Sequence, residues 1–459
     1  MTRLSDTVVG ETYRSSVGWE LLAELEDINN RMPGQDGEHN AATLVAEAFE
    51  EVGLNDVTFT EFPIPGWWRG EAALAVEHGD RKTTFRRSHE LVELPGTPSG
   101  DVSGELVDMG YGLPEDFEDV DLSGCVVMAS SLTPDEYGRW VHRSEKYHYA
   151  AENGAVGFVF CNHIEGALPP TGSIGVTNGP GPIPAVGVSR EVGARLKRYC
   201  KNGSVEVSLD VACENGRTTS RNIEAVVGPE TDEEVLYTAH VDGHDVGTAA
   251  NDNGFGTALV VEVGRILAQL EDDLETRVRL IVFGAEETGL YGSYYWTHTH
   301  DLDSVKCIVN MDGAGYSRNL EIHTHGFETI GETFEAVEAE YDIPIKIEEG
   351  LRPHSDHWPF VQQGVAGVQG RSSAKESGRG WGHTHGDTLD KLDVRDLRDL
   401  SILCAAGVAR LAESSIETPH VSATEIKQDS IEQRFDAGMK ATYTWPWGEQ
   451  RDWPWKDQL

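Results

Sequence analysis

The stretch Thr238-Ala-His240-Val-Asp242-Gly-His-Asp-Val-Gly-Thr-Ala-Ala-Asn-Asp252-Asn-Gly-Phe-Gly256 decides how the chain is read. The apolar run Val235-Leu236-Tyr237 before it reads as a buried strand, and the residues from about Gly256 onward have the periodicity of an amphipathic helix. Imidazole and carboxylate groups are therefore expected at a strand's carboxyl end, where open α/β sheets place their ligands. Two later stretches share this layout, Val278-Arg-Leu-Ile-Val-Phe-Gly-Ala-Glu286-Glu287 and Cys307-Ile-Val-Asn-Met-Asp312-Gly. Three apolar strands, each ending in carboxylates or histidine, predict a metal site.

Composition narrows the partners. Lys and Arg total 37 against 78 Asp and Glu, a formal charge of −41 over 459 residues. Acidity of this size argues against a nucleic-acid partner, because phosphates are repelled. The acidic residues are dispersed along the chain, which reads as adaptation to high salt, where the Debye length shrinks to about 3 Å at 1 M. No apolar run approaches the roughly 20 residues of a bilayer span, so no membrane partner is expected. The N-terminus lacks an apolar signal core, which points to the cytoplasm. Six cysteines are scattered without paired spacing, which fits neither a disulfide framework nor a CxxC zinc site.

Four regions follow from the changes of texture. Residues 1–65 read as two helices and a strand, with Trp19, Leu22, Leu25 and Ile28 on one helical face. Pro63, Pro65, Gly66 and the pair Trp67-Trp68 break the strand pattern and suggest a boundary. Residues 66–211 alternate short strands with Gly- and Pro-rich loops, as an inserted α+β module without a concentrated set of catalytic residue types. Residues 212–415 alternate strands and helices as βαβ units do, giving an α/β fold with a doubly wound, mostly parallel mixed sheet. Residues 416–459 form a polar tail ending in Trp445, Trp447, Trp453 and Trp455. Wet tryptophans are costly, so these rings are expected to pack on the body or on a second copy, as in a homo-oligomer.

The three strand ends offer His240, Asp252, Glu287 and Asp312 as metal ligands, and the loop Trp381-Gly-His383-Thr-His385-Gly-Asp387 offers a fifth. Two neighbouring ions need about three protein ligands each, with a shared carboxylate as the usual bridge. In the pair Glu286-Glu287, adjacent side chains at a strand end point in different directions. One can bind metal while the other serves as general base toward water.

Here the chain resembles the co-catalytic zinc exopeptidases, a family that includes bacterial leucyl aminopeptidases, glutamate carboxypeptidases and the transferrin receptor's degenerate peptidase domain. Phe283-Gly-Ala-Glu286-Glu287-Thr-Gly-Leu-Tyr-Gly-Ser293 is similar to the family's Glu-Glu signature. His240-Val-Asp242, Asn251-Asp252-Asn253-Gly, Asn310-Met-Asp312 and His383-Thr-x-x-Asp387-Thr388 complete the set in order. The resemblance implies two Zn2+ ions, with Co2+ or Mn2+ as substitutes. It implies that His240 and Asp312 hold one ion, Glu287 and His383 the other, that Asp252 bridges them, and that Glu286 is the base. Asp242 would orient His240 through the other ring nitrogen. Ala249 stands where the family has a glycine, and Phe255 where it has a small or hydroxyl residue. Residues 66–211 resemble a protease-associated domain, notably at Gly124-Cys-Val-Val-Met and Ala151-Glu-Asn-Gly-Ala-Val-Gly-Phe-Val-Phe.

The expected activity is that of an aminopeptidase acting on peptides. Alternatives are a carboxypeptidase or dipeptidase of the same family and a non-catalytic, receptor-like relative. No basic cluster stands out around 345–385 to clamp a free carboxylate, although Arg352, Arg371 and Arg379 are there. His244 and Asp245 compete as ligands on sequence grounds, and His385 competes with His383. His323 and His325 have strand spacing and are expected as a surface pair. His357 either contacts a substrate carbonyl or packs.

Overall fold

The computed structural model describes residues 3–372, 380–448 and 451–458, so Arg379 lies outside the described residues. Two compact units are present. The first takes the described residues of Met1–Phe62, Thr219–Ser377 and Asp387–Ser430, and the second those of Pro63–Thr218, Gly378–Gly386 and Ile431–Leu459.

In the first unit the sheet runs, by strand, Ile345–Glu348, Leu320–His323, Gly367–Ser372, Val305–Met311, Glu234–His240, Arg277–Phe283 and then residues 223–227. The pairings are parallel except where Leu320–His323 meets Gly367–Ser372 and where Arg277–Phe283 meets 223–227. This is the expected mixed, mostly parallel sheet. Its central strands are buried along their whole length, which is why they read as unbroken apolar runs.

Helices cover both faces. Leu236, Ile281 and Ile308 join Trp296, Phe360 and Val365 in one apolar cluster, built with the helices Tyr291–Thr299 and Trp358–Val361. The helix Phe255–Ala268 packs on the strands Glu234–His240 and Arg277–Phe283, and against the helices Val17–Asp27, Asp36–Glu51 and Val394–Leu411. Gly18 makes one of these approaches close: a Cβ there would lie 2.5 Å from the Glu262 side chain. The helix Val17–Asp27 accordingly buries Gly18, Leu21, Leu22 and Leu25, a face rotated from the expected Trp19–Ile28 stripe.

In the second unit the strands Gly100–Asp108, Val126–Ser130, Gly157–Cys161 and Ala185–Val188 pair in parallel. Antiparallel neighbours flank them, Leu91–Glu93 at one end and residues 206–211 at the other. Their apolar faces form two clusters, one around Met128 and Leu209, the other around Tyr147 and Phe158. One strand, Asn55–His78, runs straight through Pro63, Pro65 and Trp67-Trp68, where the sequence suggests a break. The later part of the tail packs within this unit. Arg139 lies over the Phe435 ring and His148 meets the edge of Tyr443. Trp453 and Trp455 stack at 5.0 Å and are buried. The expectation of a homo-oligomer through the tail therefore gains no support, since these two rings find cover in their own chain.

No helix among the described residues is long and apolar enough to cross a membrane.

Candidate metal centre

Parallel pairing sets the strand ends level. His240 pairs in register with Phe283, and Asn310 pairs with Thr238, so the residues that follow emerge on one edge of the sheet. The helix Phe255–Ala268 fixes this edge through Thr257, whose hydroxyl donates to the His240 carbonyl oxygen at 2.8 Å.

His240 is fully buried, and its Nδ1 lies 3.2 Å from the Asp242 carbonyl oxygen and 3.5 Å from Asp242 Oδ1. Its Nε2 makes no hydrogen bond; it faces Asp252 Oδ1 at 3.6 Å and Asp312 Oδ1 at 3.8 Å. Those gaps are long for hydrogen bonds. They suit a shared ion, because donors held tetrahedrally at about 2.0–2.1 Å lie roughly 3.4 Å apart. Burial works to lower the His240 pKa, yet Glu286, Asp242, Asp252 and Asp312 together hold it well above the ordinary value. Ligand atoms of His240, Glu286 and Asp312 all lie within 4.8 Å of one another. The donor set of one imidazole and several carboxylates therefore fits a divalent cation of the zinc class.

Asp252 sits in an irregular turn, Ala250–Gly254, ahead of the helix. Asp387 holds that turn: its Oδ1 accepts from the Asn251 amide at 2.8 Å and its Oδ2 from the Asp252 amide at 3.1 Å. From the other side Arg31 donates to the carbonyl oxygens of Thr248 and Ala249, at 3.1 and 2.7 Å. Burial lowers the Arg31 guanidinium to about 10 against the pull of Asp387, Asp242, Glu26 and Glu287. Ala249, the departure from the family glycine, has φ +51°. This left-handed geometry costs an L-residue roughly 1–2 kcal/mol, a physical reason for glycine there. Phe255, the other departure, is fully buried in the first turn of the helix.

The turn after Phe283 carries both glutamates. Ala285 is left-handed at φ +56°, and the Asp242 carboxylate accepts from the Glu286 amide at 3.1 Å and the Glu287 amide at 3.0 Å. Asp242 thus does more than face His240; it ties one strand end to the next. Burial, with Asp312, Glu287 and Asp356 near, pushes the Glu286 carboxyl well above the usual range, against the pull of His240. Glu287 Oε2 lies 2.9 Å from His244 Nε2, so His244 is turned inward rather than standing in a free loop. His383 belongs to the second unit, is buried, and accepts at its carbonyl oxygen from the Thr171 amide at 2.8 Å.

Sequence reasoning assigned no role to several groups that the structure places here. Glu38 and Asp356 are buried carboxylates, each pushed up to about 8, with burial the largest cause. Asp356 Oδ1 accepts from the Ser293 hydroxyl at 2.6 Å, while its Oδ2 is buried and unpartnered. Asp387 lies within a quoted motif, and only its spacing from His383 drew attention to it. Two histidines outside the motifs pack against each other. His357 is fully buried, stacks on His325 with ring centroids 4.5 Å apart, and engages the Arg352 carbonyl oxygen at 3.0 Å. His323 and His325 are no surface pair: His325 falls beyond its strand at φ +53° and is buried.

The description "Peptidase family M28" matches residues 222–408, and the PA domain matches residues 102–196. Aminopeptidase YwaD of Bacillus subtilis is 27% identical over 412 residues, covering 86% of this chain and 84% of that protein. Leucine aminopeptidase 2 of Trichophyton equinum is 33% identical over 313 residues, 65% of this chain and 58% of that protein. Among solved structures, a peptidase M28 precursor from Shewanella amazonensis has a TM-score of 0.76 at 23% identity, covering 91% of this chain and 98% of that one. An aminopeptidase from Aneurinibacillus has a TM-score of 0.69 at 23% identity, covering 91% and 99%. These structures agree with the fold described above, and the two matched segments identify it: the chain carries a domain of peptidase family M28 over residues 222–408 and a PA domain over residues 102–196.

Proposed function

We propose that the protein is a two-metal aminopeptidase, with zinc as the resident ion, that removes N-terminal residues from peptides. The observation that carries this reading is the buried His240 Nε2, without a hydrogen bond and at ligand spacing from both Asp252 and Asp312, beside the Glu286-Glu287 turn. Its relatives in B. subtilis and T. equinum bear the name aminopeptidase.

His240 and Asp312 would hold one ion, Glu287 the other, with Asp252 shared; the resemblance adds His383 to the set. Bound there, divalent ions supply Lewis acidity at the scissile carbonyl and make water acidic enough to react at neutral pH. Glu286 takes the proton from the attacking water and passes it to the leaving amine. Asp242 keeps Glu286 and Glu287 in place through their amides, and Asp387 does the same for Asp252. The six free cysteines and the charge of −41 support a reducing, salt-rich cytoplasm as the working environment.

The test is a panel of free-amine, N-blocked and C-terminal reporter peptides, assayed in molar salt. Cleavage of the free-amine substrates alone, abolished by chelator and restored by zinc, is expected. Glu286→Gln should keep its metal and lose at least about 100-fold in kcat, as removal of a general base does. Turnover near the unmodified level in metal-loaded E286Q would remove Glu286 from its role, and cleavage of N-blocked peptides would remove the aminopeptidase reading.

A further inference from the structure

The turn that carries Glu286 and Glu287 leaves the sheet with four consecutive amides to satisfy, and side chains from three separate segments take them. Gly284 donates to Asn222 Oδ1 at 3.2 Å, Ala285 to Glu38 Oε1 at 3.0 Å, and Glu286 and Glu287 to the two oxygens of Asp242. Asp242 and Asn222 lie on or just beyond the strands beside the turn. Glu38 comes from elsewhere, the first turn of the helix Asp36–Glu51, and is fully buried.

Its carboxylate is saturated with donors. Oε2 accepts from the Gly34 amide at 2.6 Å, and Oε1 accepts from the Ser220 hydroxyl at 2.6 Å as well as from Ala285. Three donors and a helix N-terminus favour the charged form, but burial and the nearby Asp242 outweigh them and push the group up to about 8. The approach to the turn is close. A Cβ on Gly284 would lie 2.3 Å from Ser220 Oγ and 3.0 Å from Glu38 Oε1, and a Cβ on Gly37 would lie 2.2 Å from the Asn30 carbonyl oxygen. Both contacts need glycine: one lets the turn approach Glu38 and Ser220, the other lets the start of the helix approach Asn30.

The bond to Ala285 has a consequence that the other two lack. Ala285 is the left-handed residue whose dihedrals set the direction in which the next two side chains leave the backbone. We propose that Glu38 is a positioning residue for the reaction: by holding the Ala285 amide it fixes the direction of the Glu286 carboxylate. This rests on the reading of Glu286 as general base. The hydrogen bonds of Glu38 go to Gly34, Ser220 and Ala285 and to none of the proposed metal ligands, so its loss should act on turnover rather than on substrate binding.

Glu38→Gln keeps the shape but sets an amide against one of the three donors. Ser220→Ala removes a different contact of the same carboxylate and leaves Ala285 held. The holoenzyme forms of E38Q, S220A and E286Q are compared for metal content, Tm, kcat and KM. The expected result is a 10- to 100-fold fall in kcat for E38Q with KM within twofold and metal content intact. S220A should lose Tm while keeping kcat. An E38Q enzyme with unchanged kcat, or an S220A enzyme whose kcat falls as far as that of E38Q, would overturn the proposal and leave Glu38 as a purely structural group. If E38Q does not fold, Glu38→Asp, which keeps the carboxyl group one methylene short, carries the same criteria. E286Q separates the two readings: its failure to lose turnover removes the base itself, whereas loss in E286Q without loss in E38Q removes only the role of Glu38.

Discussion

His325 donates from Nδ1 to the Gly367 carbonyl oxygen at 3.0 Å, lies against the His357 ring and is almost completely buried. Burial is the main reason its pKa falls to about 3, with His323 and Arg352 adding repulsion. An unfolded chain titrates the same imidazole near 6.5. The folded state therefore favours the neutral form; this stability is fully present above about pH 6.5 and drains away as pH falls toward 3. At full protonation the loss is about 5 kcal/mol. His325→Phe keeps a ring against His357 and removes the titration. In urea denaturation it should cost about 1 kcal/mol at pH 8 for the lost hydrogen bond. Between pH 6 and 4 its stability should then decline less steeply than that of the unmodified protein. Parallel pH curves would show that His325 does not drive the acid instability. Sequence spacing alone put His323 and His325 on one exposed strand face; a left-handed residue just past the strand end turns the second one inward, and period-two patterning carries no sign of that.

Elements were legible where their chemistry is local. Each buried strand announces itself as an apolar run and ends in its own polar group, so His240, Glu286, Glu287 and Asp312 stand out with no knowledge of the fold. Supports that come from far along the chain do not. Glu38 reaches Ala285 across 247 positions, and Asp387 reaches Asp252 across 135. Nothing within a short window marks Glu38 as more than a surface acid, and Asp387 is marked only by its place in the His383–Thr388 motif. The unbroken strand Asn55–His78 was hidden for another reason, since prolines end a strand only where their missing N–H would have been paired. Asp387 is the support whose removal is easiest to read. Asp387→Asn replaces one acceptor oxygen by a donor facing an amide, which frees one end of the Ala250–Gly254 turn. Metal affinity should fall roughly 10- to 100-fold, the usual effect of losing a group that orients a ligand. Competition with a calibrated chelator measures it, and an unchanged affinity would mean that Arg31 alone suffices to hold the turn.

At the scale of the whole molecule, the formal charge of −41 acts on every element at once. Carboxylates engaged by Arg or Lys, such as Glu234 with Arg279, are a minority when 78 acids meet 37 strong bases. The remainder repel one another, and screening is the only general remedy, its range falling from about 10 Å at 0.1 M salt to about 3 Å at 1 M. Tm should therefore climb by several degrees between about 0.1 and 2 M KCl, and an equal osmolality of sucrose should reproduce only part of the rise. A Tm that is flat or falling with KCl would count against salt adaptation.

The level pairing of His240 with Phe283 also constrains how this protein can vary over generations. An extra residue between Glu234 and Asp242 would swing the imidazole to the opposite face and draw the Asp242 oxygens off the neighbouring turn in a single step. Length changes in descendants of this gene should therefore collect at the amino ends of the strands and in the outer connections, leaving that short interval unaltered.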